Sequence, residues 1–170
     1  IIVKGNKKTK TNVILREVEM LVKDGDLYNH QKVGLARERV FNLGFFKQVN
    51  LDIRPGSKED LMNLIIDVEE QPTGTVSIGG GYGTTTGFSI FADVGENNLL
   101  GYGHRVGVRF EYGPLRSTIT LSYRWPWILD IPLTFTSSVF YQLISIPTTS
   151  LFANTREKAE YQKRLFGYSM

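Results

Sequence analysis

Residues 73–83 read TGTVSIGGGYG, and their reading decides the fold. Val76, Ile78, Gly80 and Tyr82 alternate with Ser77, Gly79 and Gly81, which is the two-residue period of a β-strand. Three consecutive glycines are unusual in a strand, because glycine costs backbone entropy and offers no side chain for cross-strand packing. A glycine-rich linker is the competing reading. A flexible linker has no need of alternation, so the alternation favours a strand, and a weakly held one. Upstream the pattern mixes helix and strand, and downstream strand follows strand. The stretch therefore opens a second domain, with residues 1–72 forming the first and residues 73–170 the second.

The chain of 170 residues suits one or two small domains. A mean hydropathy of -0.16 has the look of a soluble protein. An average of this kind conceals a membrane barrel, in which lipid-facing and lumen-facing residues alternate and cancel. No run approaches the roughly 18 apolar residues of a transmembrane helix. The opening IIVKGNKK lacks the basic-then-apolar order of a signal peptide. Without cysteine there is no disulfide, zinc-thiolate site or thiol nucleophile. The net charge of +3 is spread among acids, as in REKAEYQKR, and forms no basic stripe of the kind a nucleic-acid reader carries.

In the first domain, Ile1–Val3 predicts a short strand ended by Gly5-Asn6. Asn12 is placed to cap a helix with Ile14, Val18, Leu21 and Val22 on its apolar face. Arg16, Glu17 and Glu19 fall off that face, and Gly25 stands at the stop. Asn29 caps a second helix with the stripe Val33, Ala36, Val40 and Leu43, stopped by Gly44. Lys47, Gln48, Val49, Asn50, Leu51, Asp52 and Ile53 alternate as a strand, and Pro55–Lys58 is a turn. Leu61–Val68 is apolar on both faces and predicts the central strand, which puts Lys47–Ile53 at the sheet edge. The order strand, helix, helix, strand, strand is an α+β domain with helices on one face of the sheet.

Beyond Gly83 the alternation becomes regular. Phe88, Ile90, Ala92 and Val94 share one face, as do Val106, Val108, Phe110 and Tyr112, and then Ile119, Leu121, Tyr123 and Trp125. A fourth run, Leu133–Leu143, alternates likewise, and turns fall at 83–87, 95–103, 112–114 and 126–132. Strands of about ten residues with one apolar and one polar face are the signature of a transmembrane barrel. A soluble sandwich or lipocalin-like barrel with outward charges has the same alternation. The aromatics favour the membrane. Trp125 and Trp127 flank Pro126 at a strand end and Tyr102 sits in a turn at the same end, as in an interfacial girdle. Counting up and down from the first domain puts 95–103 and 126–132 on its side of the membrane, and 83–87, 112–114 and 146–154 on the other.

Catalytic patterns are missing. GGGYG leads into a strand, whereas a phosphate loop must open a helix, and His30 and His104 fall in different domains. Arg105, Arg109, Glu111 and Arg124 face the lumen, where they solvate it or hold an inward-folded loop.

Three motifs resemble a POTRA domain: Gly5-Asn6, RERVFNLGFF at 37–46 and DVEEQPTG at 67–74. They are most similar to the last POTRA domain of BamA-type outer-membrane assembly proteins, where it meets the barrel. GYGTTTG (81–87), ENNLLGYGHRVGV (96–108) and SYRWPW (122–127) resemble the first strands of such a barrel. The resemblance implies an α+β POTRA domain (β-α-α-β-β) followed by antiparallel transmembrane β-barrel strands. Five strands are clear and a sixth spans Arg156–Tyr168, too few to close, so the chain reads as part of a longer protein. The implied location is the bacterial outer membrane with the POTRA domain in the periplasm, and the implied function is folding and inserting barrel proteins. The implied partners are unfolded outer-membrane client proteins, accessory assembly lipoproteins and outer-membrane lipid, with no nucleic acid, cofactor or catalytic residue. Thr75, Val76, Ser77, Ile78, Gly79, Gly80, Gly81 and Tyr82 would form a lateral gate that templates an incoming strand. Lys47–Ile53 would take partners by strand addition. A secretion transporter of the same superfamily and a soluble strand-binding adaptor remain as alternatives.

Overall fold

The structure, a computed structural model, describes residues 1–58, 61–84, 87–148 and 159–170. It divides into two units. The first joins Ile1–Gly74 with Asn97–His104 and Pro126–Leu133, and the second joins Thr75–Glu96, Arg105–Trp125 and Thr134–Met170.

The first unit contains β1 (Ile2–Lys4), α1 (Thr11–Glu19), α2 (His30–Asn42), β2 (Phe46–Pro55) and β3 (Met62–Glu70). The sheet order is β1-β3-β2, with β1 parallel and β2 antiparallel to the central β3. Val13, Ile14 and Val18 of α1 pack with Ala36 and Val40 of α2 against Val49, Ile66 and Val68 of the sheet. Asn29 caps α2, its side chain accepting from the Lys32 amide at 3.1 Å. Gly44, at φ 75°, reverses the chain after α2. The turn throws Phe45 and Phe46 back into the core, edge to face at 6.2 Å between ring centroids, and both are buried.

Three details of α1 differ from the sequence expectation. Asn12 lies inside the helix, and Lys10 occupies the cap position without a side-chain cap bond. The helix ends at Glu19, where the amides of Leu21 and Val22 both turn onto the Val18 carbonyl, so Gly25 belongs to the following turn. Glu17 is buried: four residues after Val13, it shares that residue's face.

The second unit is built on β4 (Gly74–Gly83), β5 (Gly87–Leu99), β6 (His104–Tyr112), β7 (Arg116–Trp125), β8 (Phe135–Thr148) and β9 (Ala159–Ser169), paired in chain order. The register aligns like with like. Val108 faces Leu121, which faces Val139, while Arg109 faces Thr120. Phe88, Ile90, Val94, Phe110, Ile119 and Leu121 are exposed along the sheet. An apolar band of this extent suits lipid, not water. Among the described residues no helix is long and apolar enough to cross a membrane. β5 runs to Leu99, so the turn predicted at 95–103 shrinks to its last four residues. Of the predicted outer stretches, residues 85–86 and 149–154 lie outside the described residues, as do 156–158 of the sixth strand.

Candidate functional site

β4 occupies one end of the six-stranded sheet order, next to β5. Val76, Ile78 and Tyr82 stand exposed on it. Its three glycines are not equivalent. A Cβ on Gly79 would lie 2.5 Å from Phe91 Cζ, so the Phe91 ring fills the space a side chain would take. A Cβ on Gly80 would sit 3.1 Å from the Ser89 carbonyl oxygen, and one on Gly81 would meet nothing within 4 Å. The expectation that the whole glycine run lacks side-chain cover therefore needs correction at Gly79, covered by the Phe91 ring of β5, and at Gly80, where a Cβ would meet Phe88 and Ile90 at 3.5 and 3.6 Å.

β2 is an outer strand of the three-stranded sheet, and its ladder with β3 bulges between Phe46 and Gln48. Past the bulge, the Val49 carbonyl accepts from Arg37 Nε of α2 at 2.8 Å, so it points away from β3. The N–H and C=O of one residue in an antiparallel strand point to the same side. Val49, Leu51 and Ile53 thus present their backbone outward, while Asn50 turns to β3. Lys47 and Asp52 are tied to neighbouring side chains, Glu69 at 3.4 Å and Arg54 at 2.8 Å, and Gln48 donates to Asn50 at 3.1 Å.

A third feature had only a faint sequence signal. The segments 97–104 and 126–133 fold onto α1 and the loop before it, within the first unit. Asn98 is 1% exposed, donates to Thr9 Oγ1 at 2.9 Å and accepts from the Gly103 amide at 2.8 Å. The Lys10 amide donates to the Gly101 carbonyl at 2.9 Å. Gly101, at φ 81°, lies so close to the Lys8 carbonyl that a Cβ would overlap it. Trp127 donates its indole N–H to Glu17 Oε1 at 2.8 Å and lies under the Arg16 guanidinium. The other Glu17 oxygen accepts from Arg39 of α2, also at 2.8 Å. This network explains a buried carboxylate: both of its oxygens are paired. Leu100, Trp127 and Leu129 adopt left-handed φ of 52–58°, a strained choice for bulky residues, and all three lie in these two turns. Tyr102 sits beside Lys10, whose Nζ is 5.6 Å from the ring centroid, and Trp125 ends β7 opposite Phe135. His30 pairs with Tyr28 at the start of α2, and His104 lies against Tyr102.

The loop that carries this platform is held by Glu70, whose carboxylate accepts from the amides of Lys8 and Thr9, the shorter bond being 2.6 Å. Partial burial pushes the carboxyl up. Hydrogen bonds from the Lys8 and Thr9 amides, the Thr9 side chain and the Lys7 amide outweigh burial and hold it below its ordinary value. A depressed folded-state value means that Glu70 contributes stability above the unfolded-state value, and that this is lost as pH falls through the folded one. Amide protection at Lys8 and Thr9, corrected for the intrinsic pH dependence of exchange, should therefore fall below the ordinary carboxylate range. In Glu70→Gln it should be low throughout and nearly independent of carboxyl titration. Identical pH profiles in the two proteins would contradict this.

Residues 1–71 match the family model for POTRA, described as a surface antigen variable number repeat, and residues 98–170 match the Omp85 superfamily domain. The chain is 40% identical over 142 residues to the outer membrane protein assembly factor BamA of Neorickettsia risticii, covering 82% of this chain and 19% of that protein. The chain is a BamA-type member of the Omp85 superfamily. The BamA of Nitratidesulfovibrio vulgaris is 33% identical over 140 residues, 82% of this chain and 17% of that one. The chain thus spans less than a fifth of the length of these relatives. The crystal structure of BamA from Haemophilus ducreyi lacking POTRA domains 1–3 shares the fold at a TM-score of 0.82 and 24% identity, over 98% of this chain and 30% of that one. The BamA-type assignment places the strands in the bacterial outer membrane and the POTRA domain in the periplasm. The turns that fold with the POTRA domain lie on that same side.

Proposed function

We propose that this segment serves the folding and insertion of β-barrel proteins into the outer membrane, with β4 as a lateral gate whose free edge templates an incoming strand. The observation that carries the reading is the position of β4 as the first barrel strand, directly after the POTRA domain, together with its uncovered Gly81. A strand with few cross-strand side-chain contacts parts at low cost, since each such pair contributes about 0.2–1 kcal/mol. Once parted, it offers a row of backbone donors and acceptors to an unfolded client. Backbone pairing needs no catalytic side chain. The direct test is Gly81→Thr, which has open space and adds β propensity. In the full-length protein it should slow the appearance of protease-resistant client barrels in liposomes by roughly two- to fivefold. An unchanged rate counts against the gate.

The same logic supports β2 as a docking edge for accessory assembly lipoproteins. Ile53→Pro removes an outward donor from a half-exposed position and should weaken that binding by roughly two- to tenfold, the worth of one backbone hydrogen bond. Asn50→Pro instead breaks a bond to β3 and should destabilise the domain itself. Unaltered binding by a folded Ile53→Pro protein would exclude this edge. Residues 1–72 are proposed as the periplasmic domain and residues 73–170 as the barrel portion. Tyr102, Trp125 and Trp127 are proposed to mark the periplasmic membrane–water boundary of the outer membrane, Trp127 with its N–H already engaged by Glu17.

A further inference from the structure

We propose that Phe91 is the positioning residue that keeps β4 attached to β5, so that the gate strand yields at its free edge and not at its β5 side. This rests on the gate reading of β4 above. The Phe91 ring lies on the Gly79 backbone, with three ring carbons within 2.5–3.3 Å of where a Gly79 Cβ would be. The Arg109 guanidinium of β6 lies 4.4 Å from the same ring's centroid. Asp93, two residues along β5 from Phe91, holds that guanidinium at 3.0 Å. The stack Gly79–Phe91–Arg109 therefore spans three strands, with the aromatic in the middle. A cation over a ring and a ring over a glycine each add attraction that the bare glycine cannot supply.

The arrangement is repeated between β8 and β9. Phe140 of β8 faces Gly167 of β9 in register, and its ring lies where a Gly167 Cβ would fall. In both cases the aromatic and the glycine belong to neighbouring strands. At β4 a Cβ on Gly80 would still meet Phe88 Cζ and Ile90 Cγ2 of β5 at 3.5 and 3.6 Å, and only at Gly81 would it meet nothing within 4 Å. The strand is thus held near its middle, where Phe91 sits, and loosened further along. A template strand needs both properties: it must stay on the barrel while its outer side is free.

The experiment uses the full-length protein in liposomes, with hydrogen exchange read at 75–82 and at 117–124 of β7 as an internal reference. Phe91→Ala should raise exchange in 75–82 about three- to tenfold and leave the β7 segment unchanged. Phe91→Tyr keeps the ring and should restore protection. Gly79→Ala, which pushes the ring away while retaining it, should reproduce the loss, and the double variant should be no worse than either single one. Unchanged exchange at 75–82 in Phe91→Ala, or failure of Phe91→Tyr to restore it, overturns the assignment. Should Phe91→Ala fail to fold, Gly79→Ala read against wild type decides alone. Client insertion measured on the same samples reports separately on the gate. A loosened β4 with an unaltered insertion rate leaves Phe91 as the holding residue and counts against the gate.

Discussion

Replacing Val108 with Arg should leave the full-length protein unable to complete membrane insertion. Val108 lies in a cross-strand row with Leu121, Val139 and Tyr168, at the centre of the apolar face. Arginine on the lipid face near the bilayer midplane costs about 2–4 kcal/mol. Phe110, which is 49% exposed and faces Ile119, should respond in the same way. The opposite face supplies the control. Arg109 stands opposite Thr120 and shares a half-exposed ion pair with Asp93, which is worth little in water. Arg109→Ser should insert normally, whatever it does to the mobility of β4. The readout is heat modifiability: a folded barrel migrates faster than the same chain after boiling. Normal folding of Val108→Arg would mean that the faces are assigned the wrong way round.

Alternation carried most of this structure. Where a strand has one apolar and one polar face, period 2 fixes which residues share a side, and the register from β6 to β8 pairs those sides as the sequence implied. The Gly44 stop was legible for a similar reason, since glycine in the left-handed region leaves the chain one way to turn. The ends of α1 were not legible. Asn12 is a good cap by type, but the loop at Lys8 and Thr9 is fixed by Glu70, 61 residues from Thr9, and that contact sets where the helix starts. Glu17 was misplaced because a charged residue reads as solvent-facing. Its partners, Arg39 and Trp127, come from distant parts of the chain. The spacing of Val13 and Glu17 held the one local hint. The glycine run was legible as a weak strand but not as an uneven one. Nothing in TGTVSIGGGYG says that a ring from position 91 will cover Gly79 and leave Gly81 bare.

The central claim is that the seam beside β4 opens while a client is inserted, and a reversible covalent lock on that seam tests it most directly. Ser77 lies on β4 two residues before Gly79 and is exposed. In the full-length protein a cysteine at Ser77, paired with one on the last barrel strand chosen for a Cβ separation near 4 Å, closes the seam by a disulfide. The bond leaves the barrel's own assembly intact and forbids separation of the two strands. The rate at which an unfolded client barrel becomes protease-resistant in liposomes is then compared with and without reductant. The account predicts slow insertion by the oxidised protein and recovery on reduction. Equal rates for the oxidised and reduced protein would contradict it, because a seam that never opens would then be sufficient.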